Sequence, residues 1–88
     1  MSIIYLPLRI FISILMKTEY QINIISRLKS ERDNHFLSQK DVADLLGISY
    51  GFLGRIESPK QEGKYNLAQI QLLCKIYKIS IVELFIPN

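Results

Sequence analysis

Nothing limits the fold of this chain more than Gly47-Ile48-Ser49, three residues that separate two short amphipathic segments. Before them, Ser38 and Asp41 stand in S-x-x-D spacing. There the hydroxyl can accept an orphan backbone N–H and the carboxylate can reach back, an acidic variant of the capping box. The spacing predicts a helix opening at Ser38, with Val42, Leu45 and Leu46 on its apolar face and Ala43 beside them. Gly47 closes it, because glycine enters the left-handed conformation of a helix stop without a Cβ penalty. Ser49 then caps a helix from Tyr50 to about Glu57, with Leu53 and Ile56 inward, and Pro59 forbids its continuation. So short a link forces the two helices to cross steeply, which demands a small residue at their contact. Ala43 is that residue, and Val42, Leu46, Ile48, Leu53 and Ile56 fill the wedge.

Helix signals continue on both sides. A helix is expected from about Glu19 or Tyr20 to Asp33, with Ile24, Ile25, Leu28 and Arg32 at helical spacing, broken by Asn34, His35 and Phe36. Ser58 to Tyr65 reads as a loop carrying Lys60, Gly63 and Lys64. Asn66 with Gln69 starts a fourth helix whose core stripe is Leu67, Ile70, Leu73, Cys74 and Tyr77. Ser80 with Glu83 forms an S-x-x-E capping box for a short fifth helix ending near Phe85. The expectation is one all-α domain of five helices over residues 17–88.

Residues 1–16 differ in kind, being dense in Ile, Leu and aromatic residues and interrupted by Pro7 and Arg9. This apolar N-terminal extension falls short of the roughly 20 apolar residues of a spanning helix. It also lacks the basic start and small-residue cleavage site of a secretory signal. Three readings stay open: a β-prone arm pairing with a partner chain, a membrane-surface segment, or a stretch outside the native protein, with translation starting at Met16. The last is preferred, because Met16-Lys17-Thr18-Glu19 reads as an ordinary polar N-terminus.

Composition narrows the functional classes. The chain's 88 residues suffice for one core without disulfide or metal, and a net charge of +3 is compatible with an anionic partner. Cys74 is the single cysteine and reads as a small core residue, so a reducing cytoplasmic setting is expected. His35 has no Cys or His neighbour at ligand spacing, so no metal is expected. No Ser-His-Asp set or phosphate-binding glycine loop points to an enzyme.

The packing just described leaves one face of the third helix free, carrying Tyr50, Gly51, Gly54 and Arg55. A helix fits the major groove of B-DNA, and arginine can bond both O6 and N7 of guanine. Glycines would let the backbone approach the bases, while Phe52 is read as covering apolar surface between helices.

The run from Leu37 to Glu57, with Ser38-Gln39, Ala43, Gly47, Ile48, Leu53 and Ile56-Glu57 in fixed relative positions, resembles the helix-turn-helix of the phage repressor and Cro family (the xenobiotic-response-element type). The likeness extends from about Ile22 to Phe85. It implies a repressor-like DNA-binding domain. Tyr50, Gly51, Gly54 and Arg55 would contact bases, and Gln39, Lys40, Lys60 and Lys64 would contact phosphates. Gln39 would also brace the recognition helix, and Arg32 would pair with Glu57. Two departures stand out. Phe36 occupies a place where the family often has glycine, so the turn after the first helix is expected to differ. Tyr50 and two glycines replace the usual polar reading residues, which leaves Arg55 as the main hydrogen-bonding reader.

The expected function is sequence-specific binding of double-stranded DNA and transcriptional regulation, most simply repression by a homodimer on a palindromic operator. Two alternatives remain: the antitoxin of a toxin–antitoxin pair, with a toxin partner, or a protein-interaction module of the same fold without DNA binding. No cofactor or small-molecule ligand is expected.

Overall fold

The two eight-residue helices around Gly47 are too short to persist alone in water, where nucleation outweighs a few backbone hydrogen bonds. They must be held by caps and by burial. A computed structural model describes residues 17–86; the N-terminal extension, residues 1–16, lies outside the described residues. Five helices follow one another: α1 Glu19–Asn34, α2 Gln39–Leu46, α3 Tyr50–Glu57, α4 Leu67–Tyr77 and α5 Ile81–Leu84. No strand occurs among the described residues, and none of these helices is long and apolar enough to cross a membrane.

Caps fix most of the boundaries. Ser38 accepts from the Asp41 N–H (3.0 Å) and the Asp41 carboxylate accepts from the Ser38 N–H (2.8 Å), so the box at the head of α2 is closed. Asn66 and Gln69 form the same reciprocal pair at α4. Thr18 and Gln21 form it at α1, a T-x-x-Q signal that the sequence reading passed over. Ser49 caps α3 through the Phe52 N–H. The box expected at α5 does not form. In that single turn the Ser80 hydroxyl takes the Val82 N–H instead, and the Glu83 N–H goes to the Ser80 carbonyl.

Three helices end in the Schellman arrangement, in which the chain turns left-handed and the next N–H reaches back to close the last turn. Gly47 does this for α2 with φ +68°, and Ile48 N–H bonds the Ala43 carbonyl at 3.0 Å. Lys78 does it for α4 with φ +57°. Phe36 does it for α1, also at φ +57°, with Leu37 N–H on the Arg32 carbonyl and Phe36 N–H on the Asp33 carbonyl. A phenylalanine thus holds a left-handed conformation that usually falls to glycine.

All five helices contribute to one core, in which Leu28, Val42, Ala43, Leu53 and Leu73 are at most 1% exposed. Full burial of one large aliphatic side chain is worth about 1.5–3 kcal/mol. Leu53 and Ile56, both at 0%, thus give α3 a stabilisation that the isolated helix would lack in water. Leu46, Ile48, Leu37 and Ile70 pack at the margin. Two expected core residues lie outside. Leu45 is 49% exposed, because α2 faces inward along Val42, Ala43 and Leu46 and leaves Leu45 on its flank. Leu67, the first residue of α4, is 60% exposed.

Candidate nucleic-acid interface

Helix α3 is anchored on one side and free on the other. Leu53, Ile56 and Glu57 are buried. Tyr50 (59% exposed), Gly51 and Arg55 face outward, with Gly54 half-exposed. A Cβ placed at either Gly51 or Gly54 would meet nothing within 4 Å, so nothing in the fold itself requires glycine there. Apart from the buried Glu57, Arg55 is the only charged side chain on α3, and its guanidinium lies 5.5 Å from the centroid of the Phe52 ring. Phe52 is half-buried. The first turn of α3 holds no acidic residue, so the partial positive charge of its N-terminus is not offset there.

The inner side is locked by a polar junction. Arg32 of α1 donates from Nε (2.9 Å) and Nη2 (3.1 Å) to the two carboxylate oxygens of Glu57, and from Nη1 to the Leu37 carbonyl (3.0 Å). Gln39 adds its side-chain amide to Glu57 Oε1 at 2.7 Å. The three residues implied by resemblance to tie α1, α2 and α3 are thus in contact. Gln39 reaches the C-terminal end of α3, where Glu57 stands. Burial alone would lower the pKa of Arg32, but the hydrogen bonds and charge of Glu57 outweigh it and hold the guanidinium above its ordinary value. At Asp41, hydrogen bonds from Ser38 keep the carboxyl below its ordinary range, which extends the cap of α2 to more acidic pH.

The basic residues are placed differently. Lys40 is exposed on the first turn of α2, beside Gln39 in sequence. Lys60 is exposed just after Pro59, and its backbone N–H approaches Ser58 Oγ at 3.4 Å. Lys64 is half-buried and follows Gly63, whose φ of +129° and close approach bring the loop against the end of α3. A Cβ at Gly63 would lie 3.1 Å from the Ile56 nitrogen and 3.3 Å from the Arg55 carbonyl carbon, so here the fold does require glycine.

One residue of this region was missed in the sequence. Lys17, read there as part of a polar N-terminus, is only 7% exposed, and its ammonium donates to the backbone carbonyls of Arg55 (2.7 Å) and Ser58. Burial, aided by the charge of Lys64, pushes its pKa below the ordinary lysine value. The contacts span 38 and 41 residues, and no local spacing signals them.

No family model, curated protein or solved structure matches this chain.

Proposed function

We propose that this chain is a sequence-specific binder of double-stranded DNA and a regulator of transcription, most simply a repressor. In this reading α2, the Gly47-Ile48-Ser49 turn and α3 form a helix-turn-helix of the repressor and Cro type. The observation that carries it is the division of α3: Leu53, Ile56 and Glu57 are fixed inside, while Tyr50, Gly51 and Arg55 stand exposed outside. A helix presented in this way fits the major groove, where Arg55 would bond guanine O6 and N7 and the glycines would let the backbone come close. Gln39, Lys40, Lys60 and Lys64 would meet phosphates and set the register. A homodimer would place two copies of α3 in successive major grooves about 34–36 Å apart, on a palindromic site.

Selection from random duplexes tests this, using the full chain, Arg55→Ala and Lys64→Ala. Arg55→Ala is expected to cost about 1–3 kcal/mol on the selected site and to relax one base pair. Lys64→Ala should weaken selected and random DNA alike and reduce the log–log salt slope by about 0.9. Equal losses on selected and random DNA for Arg55→Ala would sink the assignment of Arg55 as a base reader.

A second reading, an antitoxin or other protein-binding module, draws on the apolar residues exposed outside α3: Val82 (59%), Phe85 (42%) and Ile86 (56%). Co-purification of a small partner protein, lost on Val82→Lys, would favour it.

A further inference from the structure

Helix α3 ends unlike α1, α2 and α4. Its C-cap residue, Ser58, is extended (φ −86°, ψ 124°), so no left-handed turn folds an N–H back over the last carbonyls. The Ser58 N–H closes onto the Gly54 carbonyl at 3.1 Å. The next carbonyl, that of Arg55, would be met in a continuing helix by the N–H of residue 59, four positions on. Residue 59 is proline and has none. The Lys17 ammonium stands in that place, 2.7 Å from the Arg55 carbonyl oxygen, and bonds the Ser58 carbonyl as well. Its positive charge meets the negative end of the α3 dipole. No carboxylate among the described residues pairs with it, so these backbone carbonyls are what hold the buried charge.

We propose that Lys17 is a positioning residue for DNA reading: it replaces the hydrogen bond that Pro59 cannot give, and so fixes the backbone from which the Arg55 side chain projects. The inference rests on the proposal that α3 reads DNA. It also makes the entry of the chain into α1 a part of the reading apparatus. The loop also comes close to this last turn, since a Cβ at Gly63 would fall within 3.1–3.4 Å of the Arg55–Ile56 backbone.

The test uses the full chain with Lys17→Met, which keeps the buried stem and removes donors and charge, and Lys17→Arg, which keeps both. Affinity for the selected site and for random duplex is measured across a salt series, at a temperature where thermal unfolding shows each variant folded. Amide hydrogen exchange follows Leu53 to Ser58. For Lys17→Met the expected result is a loss of about tenfold on the selected site, little loss on random DNA, an unchanged salt slope and faster exchange at the end of α3. The relaxed base pair should be the one relaxed by Arg55→Ala, the double variant should lose no further discrimination, and Lys17→Arg should recover most of it. A loss shared equally by random DNA with a shallower slope would make Lys17 a phosphate contact and overturn the proposal. Lower thermal stability with discrimination intact would also overturn it. If the unaltered chain prefers no sequence, DNA reading fails and the role of Lys17 in it falls too; exchange at Ser58 would still show whether the clamp exists.

Discussion

Phe36 is the residue most at odds with its surroundings. It holds φ +57°, a conformation that costs an L-residue roughly 1–2 kcal/mol, and at 94% exposure its ring gains nothing from burial. Glycine would remove the steric cost, and the greater freedom it gives the unfolded chain would return only part of that gain. Phe36→Gly is therefore expected to stabilise the fold by about 1 kcal/mol and raise the melting temperature by about 4–8 °C in a thermal scan. An unchanged or lower midpoint would mean that the ring makes a contact that offsets its backbone. Glu57 is the opposite case, accepting from Arg32 twice and from Gln39 once, with its side chain only 3% exposed. Glu57→Ala strands a buried guanidinium, at an expected cost of about 3–5 kcal/mol in denaturant unfolding. Replacing both partners with methionine should recover most of that loss, since well-packed apolar side chains often match a buried ion pair. If the double variant is as unstable as Glu57→Ala, the pair contributes more than mutual neutralisation.

At the scale of the element, the glycines of α3 and of its following loop separate two reasons for the same residue. Gly51 and Gly54 lie within a helix and face open space, whereas Gly63 lies at positive φ against the α3 backbone. Gly51→Ala and Gly54→Ala are expected to stabilise the protein, each by up to about 1 kcal/mol, through helix propensity. Both should nevertheless weaken binding to a selected DNA site, because a methyl group would keep the backbone from the bases. Gly63→Ala should destabilise the fold outright. Higher stability with undiminished DNA affinity in the two helical variants would detach the glycines from DNA reading. This contrast also marks what the sequence could convey. Helix order and the closed boxes at Ser38 and Asn66 were legible because capping acts over three residues. The Ser80 box misled because a four-residue helix bonds its cap to the second N–H instead of the third. Gly63 was visible only as a loop residue, since its necessity arises from a backbone met in space. Lys17 was hidden for the same reason: Pro59 announces a missing donor, but nothing near it names the lysine that supplies one. The outward face of α3 could be read from the burial of Leu53 and Ile56.

For the molecule as a whole, the core carries its own pH limit. Tyr77 of α4 is 3% exposed, with its ring centroid 5.1 Å from that of His35, just beyond α1; Tyr65, ahead of α4, packs against the same core. Burial, the largest cause for both, pushes the Tyr77 phenol up to about 12 and that of Tyr65 higher still. In the unfolded chain a tyrosine titrates near pH 10. The folded state therefore binds more protons above that pH, and stability must fall as pH rises. The contribution of the two phenols should be fully present below about pH 10 and drain away through about pH 12. Lys17 acts in the other direction, since its lowered pKa makes the unfolded chain the better proton binder on the way to the ordinary lysine value. The lysine effect ends at that ordinary value, so above it the two buried phenols set the slope, which is downward. Thermal midpoints across alkaline pH should show this fall, with the phenolate absorbance of Tyr65 and Tyr77 rising only as the helical signal is lost. Tyr77→Phe should flatten the dependence even if it shifts the neutral-pH midpoint. A midpoint that stays level well above pH 10 would mean that these rings reach solvent without unfolding, and that the junction of α1 and α4 is looser than its packing implies.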